Sequence, residues 1–311
     1  GRIGLLIMTP WAFSIGYRRL HQGVMIRHGY SGAVGVGTMI RLLTNAICLA
    51  IGYLLKTVPG IVVASSAVSC GVVAEAVYAG VRAHPIIKTH IKTALEKDTR
   101  LSLLGFLEFY IPLAATTMIT FFVSPLGSAA MSRMPNSLAS LAVWPVLYGL
   151  IFMLRSPCLA FNEVVIAWIE RPQSFQYLRR FAQLLAMGST LITLTLVATP
   201  LANIWLGTVM HLPPALMQIS HTGLWIALFI PFFVLLQNWY QGIIVSSHQT
   251  RSVTEAVVIY ITIVGFILFL GVKVQSFTGL FVTVAAYEVA GLTQSVWLWW
   301  RSRPAVKHIT S

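Results

Sequence analysis

Charge is what this sequence has least of. Only 9% of its 311 residues are Asp, Glu, Lys or Arg, against about a quarter in a soluble domain, and that deficit excludes an ordinary water-soluble globular protein. Disorder is excluded as well, because a disordered chain needs low hydrophobicity and this one is 57% hydrophobic. Aspartate occurs once, as Asp98, and no HExxH pair is present, so neither an intramembrane aspartyl protease nor a metalloprotease has the groups it requires. The three cysteines, Cys48, Cys70 and Cys158, lie in apolar runs without metal-ligand spacing, which argues against a disulfide framework or a bound metal. Strict alternation of polar and apolar residues is missing too, and with it the signature of an outer-membrane barrel.

Long apolar runs dominate instead, and the mean hydropathy is +0.80. A helix needs about 20 mostly apolar residues to cross the hydrocarbon core. Nine segments have that length: 3–26, 32–55, 58–82, 101–124, 137–161, 177–199, 215–245, 252–272 and 276–300. The expected fold class is therefore all-α, a polytopic membrane protein with nine transmembrane helices in this chain. Lipid is its first partner.

The net charge of +13 would suggest nucleic acid in a soluble protein. Here the basic residues recur at every second connection. Placing Arg18, Arg19 and Arg27 in the first connection, and counting the C-terminal tail, puts 15 basic residues on one side of the membrane and three (Lys56, Arg133, Lys273) on the other. Such a bias marks the cytoplasmic side. The expectation is an inner (plasma) membrane protein with a cytoplasmic C-terminus and no nucleic-acid partner.

One connection, 84–100, is longer and more polar than the rest. It reads as a cytoplasmic linker with a short amphipathic helix, separating residues 1–83 from 101–311. Residues 22–85 can also be laid on 241–304 without a gap, at an offset of 219. Gln22-Gly23 falls on Gln241-Gly242, Gly52 on Gly271, Gly60 on Gly279, Arg82 on Arg301 and Pro85 on Pro304. Identities are few, but they keep one offset. The repeat relates spans one to three to spans seven to nine in the same orientation, which implies an axis along the membrane normal. Spans four to six have no counterpart in the chain. The repeat therefore leads us to expect three further helices ahead of Gly1, giving about 12 helices and about 430 residues in two lobes. Residues 1–83 would then be the last three helices of an N-terminal lobe, and 101–311 the C-terminal six.

Two six-helix lobes in parallel repeat resemble the MOP flippase superfamily, which includes the multidrug and toxic compound extrusion (MATE) transporters. Gln22-Gly23 and Gln241-Gly242, each at the cytoplasmic end of a lobe's fourth helix, are similar to what that superfamily shows, as is the interfacial segment from Pro200 to Gly207. Within the superfamily, three stretches resemble the progressive ankylosis protein family: Phe109 to Ala114; Trp144-Pro145-Val146; and Tyr148-Gly149 with Arg155 and Ala160-Phe161 at matching spacing. The chain departs from that family in lacking a second basic residue between Thr116 and Ser124. The resemblance implies alternating access, export of small molecules, ion coupling and no enzymatic activity.

Ionisable residues at membrane depth are costly unless paired or wetted, so each is a site hypothesis. The spans contain Arg41, Glu75, Glu108, Arg155 and Glu288. Arg41 and Asn45 share a helix face at i, i+4, and Tyr148 and Arg155 share one at i, i+7. A guanidinium stays charged and binds carboxylate or phosphate in a bidentate fork, so Arg155, Arg41, Asn45 and Tyr148 are candidates for binding an anionic substrate. The alternative for the arginines is an interior salt bridge to Glu75 or Glu288. Glu108 and Thr116 lie on a polar stripe with Pro112, whose missing N–H leaves a carbonyl free. They are candidates for coupling to H+ or Na+, the only cofactor-like ligand expected. For Glu108 the alternative is a carboxylate reaching water at the interface. Three readings remain open: export of a small organic anion, cation-coupled multidrug efflux, and flipping of a lipid-linked saccharide. A monomer is expected.

Overall fold

A computed structural model describes residues 2–91, 103–169, 174–247 and 251–310; a few side chains within these helices, including those of Glu108 and Thr116, lie outside the described set. Among the described residues the chain is helical almost throughout and has no strand. Lipid explains the choice: a segment crossing hydrocarbon must satisfy every backbone N–H and C=O internally, and a helix does so within one segment.

The chain divides into two compact units, Gly1–Ser102 and Leu103–Ser311. Unit 1 contains α1 (Arg2–Ile7), α2 (Thr9–Arg27), α3 (Ser31–Leu55) and α4 (Gly60–Ile86), the last running on into a π-helical turn, Ile87–Ile91. Unit 2 contains α5 (Leu103–Met131), α6 (Ser137–Trp168), α7 (Ser174–Ala198), α8 (Leu201–Ile204) with a π turn at Trp205–Val209, α9 (Pro214–Ile226), α10 (Ile230–Ser246), α11 (Arg251–Val274) and α12 (Gly279–Thr310). Its core runs along α6, α7, α10 and α12, through Leu147, Ile151, Phe161, Leu235 and Ile243.

Six helices have the length and apolarity to cross a membrane: Ser31–Leu55, Gly60–Thr89, Ser137–Trp168, Ser174–Ala198, Pro214–Ser246 and Arg251–Val274. Large apolar side chains such as Leu54, Phe122 and Met187 are exposed, as lipid-facing residues must be. This is the build of a multi-pass membrane protein. The remaining expected spans differ from the reading above. The first is interrupted at Met8, where Pro10 opens α2, and α2 continues to Arg27. Arg18 and Arg19 therefore sit within a helix and not in a connection. The fourth falls partly on residues outside the described set, and the ninth continues past Arg301 through Pro304 to Thr310. The linker is also entered in helical form, since α4 continues through His84 and Pro85; residues 92–102 lie outside the described set. The segment from Pro200 to Gly207 forms α8 and the start of its π turn.

The 219-residue offset governs backbone detail. Shifted by it, Gly60 at the start of α4 lands on Gly279 at the start of α12. Lys56, left-handed at φ 50° after α3, lands on Gln275, left-handed at φ 51° after α11. The break between α1 and α2 at Met8 lands on Ala227, between α9 and α10. Side-chain contacts follow the same rule. A Cβ on Gly52 would overlap Val63, and one on Gly271 would overlap Val282; a Cβ on Gly4 would crowd Ile61, and one on Gly223 would crowd Leu280. Glycine at these points lets two helix backbones approach closely, which is how membrane helices gain packing without a hydrophobic driving force.

Candidate functional site

Unit 2 encloses a cavity of about 470 Å³, inside the range of small-molecule sites. Five helices line it: α5 with Thr120 and Ser124, α6 with Trp144, Tyr148 and Arg155, α10 with Gln237, Asn238 and Gln241, α11 with Tyr260, and α12 with Tyr287 and Gln294. On α6, spacings of four and seven residues set Trp144, Tyr148 and Arg155 on one face. Arg155 lies 18 residues into a helix of 32, about 27 Å along its axis.

Arg155 Nη2 donates to Tyr148 Oη at 2.9 Å. Its guanidinium carbon is 5.2 Å from the centre of the Tyr148 ring and 5.4 Å from that of Phe152. Nε is buried without a hydrogen-bond partner, and among the described residues no carboxylate lies within ion-pairing distance. The rest of the described wall carries no charge: apolar side chains such as Phe121, Ile151, Leu159, Phe233 and Val257 alternate with amides and phenols that are partly self-satisfied. Gln237 Nε2 donates to Gly291 O at 3.1 Å, Asn238 Nδ2 to Val234 O at 2.7 Å, and Tyr287 Oη to Val123 O at 3.0 Å. Trp144 supports the arrangement from behind, with ring contacts to Tyr148 at 5.2 Å and Tyr287 at 5.6 Å. One cation whose Nε has no hydrogen-bond partner, in a pocket that sets amides and phenols among apolar side chains, suits an organic anion that also carries hydrogen-bonding groups.

Arg41 and Asn45 belong to unit 1. Arg41 Nε lies 3.5 Å from Glu75 Oε2, the interior salt bridge anticipated as its alternative. Glu75 is fully buried and also takes Arg18 Nη1 at 2.5 Å and Gln22 Nε2 at 3.1 Å. Asn45, with its amide nitrogen turned toward them, donates to Arg41 O at 3.2 Å and Ala67 O at 2.8 Å, so it ties α3 to α4. The side chains of Glu108 and Thr116 lie outside the described residues; their backbone belongs to α5.

Sequence reasoning missed Arg18, Tyr260, Tyr287 and Gln294. Arg18, placed in the first connection by the charge pattern, lies inside α2. The others carry no charge; the repeat gives away Tyr260 and Gln294, since shifted by 219 Arg18 becomes Gln237, Gln22 becomes Gln241, Arg41 becomes Tyr260 and Glu75 becomes Gln294, whereas Tyr287 falls on Val68 and has no such signal. Glu288, one of the intramembrane charges, has a polar task in the structure. Its Oε1 accepts the Phe229 N–H at 3.0 Å just ahead of α10, while Oε2 is buried without a partner. Among the described residues no cluster of His, Cys, Asp and Glu could hold a metal ion. No protein-family profile, curated protein or solved structure matches the chain.

Proposed function

We propose that the chain forms part of a secondary transporter of the MOP flippase type that exports a small organic anion by alternating access. Arg155 is the observation that carries this reading: a guanidinium at membrane depth, facing a cavity and lacking a carboxylate partner among the described residues. A cavity for cationic drugs would instead present carboxylates, and the described lining presents none. Several cavity arginines, as a lipid-linked saccharide would call for, are also missing from the described wall. Tyr148 orients the guanidinium, and Gln237, Gln241 and Gln294 supply neutral donors and acceptors for the rest of the substrate. Arg41 offers the same anion chemistry from unit 1, with Asn45 positioning it, since the Asn45 amide bonds Arg41 O and Ala67 O.

Coupling to H+ or Na+ is assigned to Glu108 with Thr116, beside the carbonyl that Pro112 leaves free. In this reading the protein resides in the plasma membrane with its C-terminus in the cytoplasm, and it works as a monomer.

The test is uptake of organic anions into inverted vesicles. Arg155→Gln is expected to abolish uptake at unchanged protein abundance; undiminished uptake would remove Arg155 from the site. Glu108→Gln is expected to erase the dependence of uptake on pH or Na+. If that dependence survives, the coupling site lies elsewhere.

A further inference from the structure

Unit 1 gathers charge at one depth. Arg18 lies nine residues before the end of α2, Arg41 ten after the start of α3, and Glu75 eleven before the end of α4. The three helices alternate in direction, so at 1.5 Å per residue all three side chains start about 15 Å from the same end of this helix group, a distance equal to half of a hydrocarbon core about 30 Å thick. Two guanidiniums share one carboxylate. Gln22 is neutral, so the cluster carries one excess positive charge. Arg18 is 8% exposed and Glu75 not at all, and water does little to screen them. Arg18 Nε is buried with no hydrogen-bond partner. Arg41 holds Glu75 only through Nε, at 3.5 Å, and its side chain remains 30% accessible. An unbalanced buried charge at this depth is costly unless a counter-ion joins it.

The repeat supplies an independent observation. The four positions of this cluster, shifted by 219, are Gln237, Gln241, Tyr260 and Gln294, and all four line the cavity of unit 2. The positions that form a neutral ligand-facing wall in one copy are therefore charged in the other.

We infer that Arg18, Gln22 and Arg41 form an anion site of their own in unit 1, whose ligand is a monocarboxylate. Glu75 is its resident competitor, and it shows that the guanidinium pair accepts a carboxylate group. The incoming carboxylate takes the uncommitted nitrogens of Arg41, while Glu75 keeps Arg18 through the shorter contact. One excess charge sets the ligand's charge at minus one. The inference shares the anion chemistry proposed for the Arg155 cavity but none of that cavity's residues.

The test uses the whole chain in lipid nanodiscs, with Arg155→Gln as background and acetate titrated calorimetrically. Acetate is expected to bind this background, and adding Arg41→Gln should weaken binding at least tenfold. Adding Glu75→Gln should tighten it at least tenfold, since the competing carboxylate is gone. No acetate binding to the background, equal binding with Arg41→Gln, or no tightening in folded Glu75→Gln overturns the site. Chloride binding as tightly as acetate overturns the carboxylate class. Should Glu75→Gln not fold, Glu75→Asp keeps the charge but shortens its reach toward Arg41, and at least threefold tighter acetate binding is expected; unchanged binding counts against the inference. Loss of uptake in Arg155→Gln with acetate binding intact separates this site from the cavity.

Discussion

Replacing Arg155 with Lys keeps the charge and discards the fork. A lysine presents a compact ammonium that cannot hold Tyr148 Oη and a substrate carboxylate in one plane, and it gives up the stacking on Tyr148 and Phe152. Arg155→Lys should therefore still transport, with KM raised about tenfold, the loss of one good charge-assisted hydrogen bond. An unchanged KM would mean that only charge matters at this position. Glu288 invites a comparison of a different kind. Glu288→Ala strips the acceptor from the Phe229 N–H and should cost about 1–3 kcal/mol, the penalty for an unmade buried hydrogen bond. Glu288→Gln retains an acceptor oxygen and should melt at or above the temperature of the unchanged chain in detergent. Equal losses in both variants would show that the ionised carboxylate itself is needed. Both residues were visible in the sequence as intramembrane charges, but the sequence could not tell them apart. What distinguishes them is which neighbour each finds across helices, and that depends on contacts between residues 59 positions apart for Glu288 and on the lack of a carboxylate contact among the described residues for Arg155.

Helices were legible because each is a long apolar run. Interruptions were not. The first and seventh runs each read as one continuous span, yet they break at Met8 and between Ala227 and Phe229, ahead of Pro10 and Pro231. Hydropathy does not change at those breaks, so only the proline marks them, and prolines inside α6 at 145 and 157 leave that helix whole. Close packing makes an element-level prediction. A Cβ on Gly71 would meet Arg41 O at 3.0 Å as well as Asn45, and a backbone atom cannot swing aside. Gly71→Ala should cost about 1–3 kcal/mol through overpacking. Gly265, in the middle of α11, has nothing within 4 Å of its would-be Cβ, so Gly265→Ala should be neutral or gain up to about 1 kcal/mol from helix propensity. Thermal melting of the two variants side by side decides the matter; equal effects would deny that α3 and α4 meet through Gly71.

At the scale of the whole molecule, two regularities run through the chain: basic residues recur at alternate connections, and the sequence repeats at 219 residues. Moving Arg18 and Arg19 into α2 takes two charges out of the first connection, but within unit 1 Arg27, Arg82 and Lys88 stand near helix ends opposite the turn that holds Lys56, and within unit 2 Arg251, Arg301, Arg303 and Lys307 stand near helix ends opposite Arg133 and Lys273. Charges near span ends set orientation because translocating them across lipid is unfavourable. The repeat adds a constraint, since its copies are separated by an even number of spans only if all of the runs cross, and Lys56 and Gln275 must then share a side. A green fluorescent protein fused after Ser311 should therefore fluoresce, because it folds in the cytoplasm, while alkaline phosphatase at the same place should stay inactive. Alkaline phosphatase inserted between Gln275 and Phe277, in the turn joining α11 to α12, should be active, and one inserted between Lys56 and Val58 should match it. Activity at only one of these two turns would break the parallel repeat, and with it the expectation of three further helices. Activity after Ser311 would reverse the orientation while leaving the repeat intact.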